Sequence, residues 1–235
     1  MKGLLLLVVA TVAVSAFWVP VQSQAVGDET AKIDTATEIL KDIVASHDKS
    51  IPTALLENAH GFAIIPNIFD MAVGSEAYSS TGVMVVRSKE GAWSNPAFFA
   101  LSGTSLGVER GTQPTDVILV FMTEESIDAI SNGKTTLGTD IAVAAGPVGR
   151  EAETSADTDH KGEILTYIHS RGLLAGIALA GDSLQFDSRA NADFYGRENI
   201  TPSVIFAERG IVAPVAAGKF KCALAKLADT KQACA

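Results

Sequence analysis

The sequence predicts an α+β fold: a curved antiparallel β-sheet or partly closed barrel with helices at both chain ends. Three observations predict it. Apolar residues recur at helical spacing in the region after residue 30 and again near residue 220. Between these regions lie eight apolar runs of strand length, each bounded by Gly, Asn, Asp, Ser or Pro: FAIIPNI, GVMVVR, AFFALSG, DVILVFM, IAVAAG, ILTYIHS, LLAGIALAG and SLQFD. The runs follow one another without long helical crossovers, which favours antiparallel pairing. Glycines inside them mark the bends or bulges of a strongly curved sheet.

Taken in order, the chain opens with Lys2 and an apolar run, Leu4 to Val19, interrupted only by Thr11 and Ser15. Pro20 ends the run, and Ser23-Gln24-Ala25 spells a small-x-small cleavage site. This is the pattern of a secretory signal peptide over residues 1–25, cut after Ala25, with a cut after Ala16 as the minor option. As an uncleaved anchor the run falls short of the roughly 20 residues needed to span a bilayer. The expected location is therefore outside the cytoplasm: periplasmic or peripheral to the envelope, or secreted.

A single domain is expected over residues 26–235, with N-terminal helices at 30–60, a β-rich body at 61–196 and a C-terminal helical segment at 197–235. Thr30 to Ser46 aligns Ile33, Ala36, Ile39, Leu40, Ile43 and Val44 on one helical face, and Ser50 to His60 reads as a second short helix with Pro52 in its first turn. Glu124 to Ile130 interrupts the strands with a helix capped by Thr123 and stopped at Asn132-Gly133. KFKCALAKLAD, residues 219–229, is again helical.

The chain has 18 basic and 27 acidic side chains, a formal charge of −9. Loss of residues 1–25 removes one Lys and no acid, leaving −10. With no run of Lys and Arg, such a molecule is repelled by nucleic acid, and nucleic-acid binding is excluded. The two cysteines, Cys222 and Cys234, invite a disulfide in an exported protein. On one straight helix they would stand about 18 Å apart, so a bridge requires the chain to turn back near Asp229-Thr230. No cofactor or metal is predicted: Asp157, Asp159 and Glu163 sit in an acidic loop without the twelve-residue calcium spacing. Trp93, beside Pro96, Phe98 and Phe99, reads as core.

Gly103-Thr104-Ser105-Leu106-Gly107 spells the G-x-S-x-G of a serine-hydrolase nucleophile elbow. That elbow needs a helix after the serine, whereas Gly107, Gly111 and Pro114 follow here and no amphipathic period fits. Ser105 is read as a strand turn and no enzymatic activity is expected. A Ser105 hydrolase is the distant alternative. Gly146-Pro147-Val148-Gly149-Arg150 reads either as an anion-binding turn, with backbone amides and Arg150 on a lipid phosphate, or as a tight connection whose Arg pairs with Glu151 or Glu153. Tyr167, His169 and Arg171 alternate on one face of a strand, a polar face that lines a pocket or meets solvent.

GTDIAVAAGPVGREAETSAD (138–157), EILTYIHSRGLLAGIALAGDSLQFD (163–187) and NADFYG (191–196) closely resemble the SYLF domain family, also called the Ysc84-type actin-binding or bacterial lipid-binding SYLF group. Gly-Pro-Val-Gly-Arg, Tyr-x-x-Ser-x-Gly-Leu-x-Ala-Gly and Asn-x-x-x-Tyr-Gly in that order and spacing are specific, and the resemblance extends over roughly residues 35–226. It implies a non-enzymatic domain that binds lipid or a membrane surface, with Arg150, Tyr167 and Arg171 as candidate lipid contacts. Binding of a protein partner, with lipid incidental, is the alternative. Two departures stand out. The helix at 30–46 sets Lys32 and Lys41 against Asp34, Glu38 and Asp42, so a basic membrane-facing side is absent there. The stretch before GVMVVR, MAVGSEAYSSTG, also has fewer glycines than the family pattern. At −10 the expected source of lipid affinity is burial of apolar surface, at roughly 25 cal/mol per Å². A basic patch assembled by the fold, with Arg150 or Arg171, is the other source.

Overall fold

The computed structural model describes residues 22–45, 51–68, 78–103, 115–149, 162–170 and 173–228. Two helices come first, α1 (Gln22–Ala45) and α2 (Thr53–Asn58), followed by strands β1 (Gly61–Ile65), β2 (Tyr78–Val86), β3 (Ala97–Gly103) and β4 (Asp116–Phe121). Helix α3 (Glu124–Asn132) precedes β5 (Thr135–Thr136), β6 (Val143–Ala145), β7 (Ile164–Ser170), β8 (Leu173–Gly176) and β9 (Ser183–Phe186). Three helices close the chain: α4 (Ser188–Tyr195), α5 (Pro202–Phe206) and α6 (Val215–Leu227).

The strands form one curled sheet, a half-barrel with the order β5-β9-β3-β2-β1-β4-β7-β6, and β8 pairs with β7 off that path. The expected α+β class and curved sheet are present. Its pairs are antiparallel except β6 with β7, which run parallel. A parallel pair needs a crossover of a dozen or more residues, and the 18 residues between Ala145 and Ile164 provide the length. That is the point at which a purely antiparallel expectation departs from the sheet.

Both faces of the sheet are packed. On one, Phe62, Ile64, Val83, Val85, Phe98, Ile118, Val120, Leu165 and Tyr167 meet α1, α2, α4 and α6 in one apolar cluster. On the other, Ala63, Ile65, Met84, Phe99, Leu101, Val117, Leu119 and Phe121 meet α3, α5 and the 137–141 and 177–179 turns in a second cluster. This double coverage explains why β1 and β4 read as continuous apolar runs instead of alternating ones. Trp93 is core, as expected, with the Arg87 guanidinium 4.7 Å above its ring.

Local chemistry sets the helix ends. Helix α1 buries Ile33, Ala36, Ile39, Leu40 and Ile43 at helical spacing, and starts eight residues before the Thr30 that periodicity suggests. In α3 the Thr123 hydroxyl accepts from Ser126 N–H, Glu124 and Glu125 complement the positive end of the helix, and Gly133 follows its last residue. Helix α4 lies inside the region predicted to be β-rich. It is capped by Asp187, which accepts from Ala190 N–H, and by Gly196 in the left-handed conformation that glycine adopts without penalty. Pro52 precedes α2 as its cap and is not part of its first turn.

Helix α4 is tied to β3 by one side chain. Strand β9 pairs with β3 only as far as Phe99. At Phe98 the buried Asn191 takes over: its Oδ1 accepts from Phe98 N–H at 2.9 Å, and its Nδ2 donates to Phe98 C=O and to Asp187 C=O, each at 2.8 Å. The carboxamide thus replaces a strand partner where the sheet stops. Tyr195 O–H donates to Pro96 C=O, and the Phe98 and Phe194 rings pack edge to face at 5.2 Å. The Asn-x-x-x-Tyr-Gly motif is therefore a structural clamp, with three hydrogen bonds from the asparagine, one from the tyrosine and a helix stop from the glycine.

A second buried polar site lies where β3 ends. Gly103 leaves room for the Asp182 carboxylate, since a Cβ there would overlap its Oδ1. Asp182 is 2% exposed, and its Oδ2 has no hydrogen-bond partner. The Tyr78 hydroxyl is close enough to interact with it electrostatically but is outside hydrogen-bond geometry. Desolvation raises the Asp182 carboxyl above its ordinary 3.8, opposed in part by Tyr78.

Two expected outcomes follow from these sites. Asn191→Ala strands the buried Phe98 N–H and costs about 2–4 kcal/mol in chemical denaturation, whereas Arg189→Ala on the exposed side of the same helix stays within about 0.5 kcal/mol. For Asp182, the folded state holds its proton more tightly than the unfolded state. Its destabilisation is therefore absent below pH 3.8 and grows as pH rises through and above that value. Asp182→Asn removes the dependence, so urea midpoints measured across acidic to neutral pH should shift in the variant's favour as pH increases. A pH-independent difference would show that Asp182 is not the titrating group.

Candidate functional site

With both sheet faces sealed, ligand-sized space among the described residues lies at the periphery. A groove of about 760 Å³ runs between α1 and α6, within the range typical of small-molecule sites. Its α1 wall is Asp34, Thr37, Glu38, Lys41, Val44 and Ala45, which recur every three or four residues and so share one helix face. The α6 wall is Gly218, Lys219, Cys222, Ala223 and Lys226, on the same spacing. The two helices meet below the groove through larger apolar residues, including Leu40 and Ile43 of α1 and Phe220 and Leu224 of α6. Above that contact Ala45, Gly218 and Ala223 are too small to fill the space, and the helices part.

The groove is apolar at its base and charged at its rim. Lys41 pairs with Glu38 at 2.6 Å on the exposed surface, a contact worth little. Lys219 and Lys226 are exposed and take part in no ion pair among the described residues. The rim thus has three lysines against Asp34 and Glu38, a small positive excess in a chain with a net charge of −9. Cys222 on the α6 wall is disulfide-bonded. The sequence has one other cysteine, Cys234, which lies outside the described residues. Helix α6 ends at Leu227, before the straight-helix geometry that would keep the two cysteines apart.

The residues singled out from sequence are distributed differently. Arg150, Arg171 and Ser105 lie outside the described residues, as do Asp157 and Asp159. Glu163 accepts from Ala142 N–H through Oε2 at 2.9 Å, a backbone contact that ties β7 to the β6 lead-in. Tyr167 is wholly buried, so the expected polar face of that strand is in fact a core face. The reason is the neighbouring glycines. A side chain at Gly146 would overlap the Tyr167 ring, and one at Gly176 would overlap Gly146 C=O, so the Gly-Pro-Val-Gly turn closes directly over the tyrosine. Its hydroxyl has no hydrogen-bond partner, and desolvation raises its pKa. His169, on the same face, is buried with Nδ1 3.1 Å from Asp116 Oδ2.

The groove residues escape sequence reasoning because each reads as the solvated side of its own helix. Only the pairing of α1 with α6 sets the two faces opposite one another. The legible signal is the run of small residues at i, i+4 and i+5, Gly218, Cys222 and Ala223, on an otherwise lysine-bearing helix.

Among the described residues no cluster of three or more His, Cys, Asp or Glu could hold a metal ion, and no helix is long and apolar enough to cross a membrane.

A family model described as Ysc84, Las17-binding protein actin regulator, matches residues 102–227. Protein YSC84 of Saccharomyces cerevisiae is 34% identical over 189 residues, covering 77% of this chain and 40% of that protein. LAS seventeen-binding protein 3 of the same species is 34% identical over 184 residues, covering 77% of this chain and 39% of that protein. SH3 domain-containing YSC84-like protein 1 of Homo sapiens is 30% identical over 162 residues, covering 68% of this chain and 47% of that protein. The matches thus span less than half the length of these curated relatives. A family model that covers more than half of this chain, and relatives at 30–34% identity over two thirds or more of it, show that the protein belongs to the Ysc84, or SYLF-domain, family.

Proposed function

We propose that this protein is an exported, non-enzymatic member of its family that binds lipid in the α1–α6 groove. The observation that carries the reading is the groove itself: space for a small ligand, an apolar base, and lysines at the rim where a lipid phosphate or carboxylate would sit. An acyl chain burying on the order of 300 Å² there gains roughly 7 kcal/mol, which corresponds to micromolar affinity. Because apolar burial supplies most of this, uptake of a single lipid is expected to survive high salt.

Export rests on the signal-peptide pattern of residues 1–25 and on one structural feature that supports it. Disulfides persist in oxidising compartments, and Cys222 is disulfide-bonded. The resulting location is periplasmic or peripheral to the envelope, or secreted.

A protein partner is the second reading, favoured by relatives named for binding Las17. On that reading the same groove takes a helix or extended segment in place of an acyl chain. Arg150 and Arg171 remain proposed headgroup contacts, whereas Tyr167 acts by packing.

Two measurements test the proposal. In the first, a monomeric dansyl fatty acid is titrated into the purified protein. A Cβ added at Gly218 meets no atom within 4 Å, so the backbone there accepts a side chain, and Gly218→Phe places a ring in the groove and replaces a poor helix former. Affinity should fall at least roughly tenfold with no loss of stability, and Tyr167→Phe should bind as wild type. Unchanged uptake by Gly218→Phe would remove the groove as the site. The second is N-terminal sequencing of the native protein, which should begin at Val26. A retained Met1 would refute processing.

A further inference from the structure

The segment leading from α5 into α6 has an exposure pattern that the fold does not require. Val212 is 92% exposed and Val215 is 79% exposed, the highest values for large apolar side chains among the described residues. Their neighbours point inward: Ile211 packs against the cluster beneath α5, and Ala213 against the cluster beneath α1 and α6. The segment is therefore anchored, and the two valines form a fixed apolar tip. Pro214 stiffens it as the residue before α6, and Glu208 and Gly210 turn the chain into it with positive φ values of 53° and 65°.

The stretch that follows this tip is basic, with Glu208 just before it and Asp34 and Glu38 across the groove. From Arg209 to Ala228 the chain has Arg209, Lys219, Lys221 and Lys226 and no acid, in a sequence with 27 acidic and 18 basic residues. Lys221 is committed to Glu208 and Asn95. Arg209, Lys219 and Lys226 are exposed and form no ion pair among the described residues. Val215 precedes Lys219 by four residues and Gly218 by three, so it lies on the face of α6 that lines the groove. The basic side that α1 lacks is thus present on α6, next to the two most exposed valines.

We propose that the Val212–Val215 tip inserts into the interfacial layer of an anionic lipid bilayer, with Arg209 and Lys219 at the lipid phosphates. Apolar side chains flanked by free cations match such a surface, in which a hydrocarbon boundary lies just beneath negative headgroups. A molecule with this net charge is repelled as a whole, so attachment depends on the patch being local, within about a Debye length of the membrane. The inference rests on the lipid-binding reading above and adds the partner and the orientation: the groove's α6 wall ends at the membrane surface. It also separates two salt responses, since bilayer attachment weakens as salt rises while uptake of a single acyl chain does not.

Co-sedimentation with vesicles of mixed phosphatidylglycerol and phosphatidylcholine, against vesicles of phosphatidylcholine alone, tests it. Both valines are exposed, so Val212→Asp with Val215→Asp should keep the wild-type melting temperature while weakening attachment to the anionic vesicles roughly hundredfold. Arg209→Glu with Lys219→Glu should weaken it about tenfold at low salt, and wild type should prefer the anionic vesicles. In Val212→Trp, emission should shift to the blue on vesicle addition and be quenched by brominated lipid. Wild-type attachment by the double Asp variant, or an unshifted Trp emission in pelleted protein, overturns the proposal. The dansyl fatty acid separates it from the groove reading. Uptake without vesicle attachment overturns the membrane tip alone, attachment without uptake overturns the groove alone, and neither signal in wild type overturns both.

Discussion

The Asn191 carboxamide bonded to both backbone groups of Phe98 is the contact on which the helical layer depends. A strand that loses its neighbour part-way along the sheet leaves a buried N–H and C=O that cannot go unpaired without cost. Here β9 stops at Phe186, opposite Phe99, and the chain turns at Asp187 straight into α4 so that a side chain can supply the missing partner. Asp187 contributes at both ends of that turn, since its N–H donates to Phe98 C=O and its carboxylate caps Ala190 N–H. Helix α4 then supports α1, which in turn packs on α6. The two helices that wall the groove are thus tied to the sheet by a chain of contacts that starts at one amide.

A sheet covered on both faces dictates where a ligand can go. The two apolar clusters cover both sheet faces, so that among the described strand residues Leu173 of β8 alone has a large exposed apolar side chain, and even Tyr167, whose type and position suggest a contact residue, is sealed beneath Gly146. Space for a ligand then arises where helix packs on helix with side chains too small to close the gap. The α1–α6 interface meets that condition with Ala45, Gly218 and Ala223. Helix ends and lead-in segments remain the other place where apolar residues stay uncovered, which is the situation of Val212 and Val215.

Electrostatics then separates the molecule into two regions. Most of the chain is acidic, and its ion pairs, such as the part-buried Lys32 with Glu29 and the exposed Lys41 with Glu38, neutralise locally without creating a field. The stretch from Arg209 to Ala228 has no acid of its own. In a chain with net charge −9 such an island gives orientation: one side of the molecule can approach an anionic surface while the others are turned away.

What is local in physics is legible in the sequence alone. The Thr123 cap and the Gly133 stop of α3, the apolar stripe of α1, the helical string of α6 and the eight strand runs each depend on residues within a few positions of one another, and periodicity or capping chemistry suffices to read them. The family motifs are legible as spelling, but their purpose is not: Asn191 and Tyr195 matter through Phe98 and Pro96, more than ninety residues away. Helix α4 has readable cap residues in Asp187 and Gly196, yet it is short and its core side is defined only by the strand it meets. Only the tertiary structure decided that β6 and β7 run parallel, that Tyr167 faces the core, and that the polar sides of α1 and α6 enclose a groove. Each of these depends on which distant segments come to lie together, and a chain read one window at a time has no term for that.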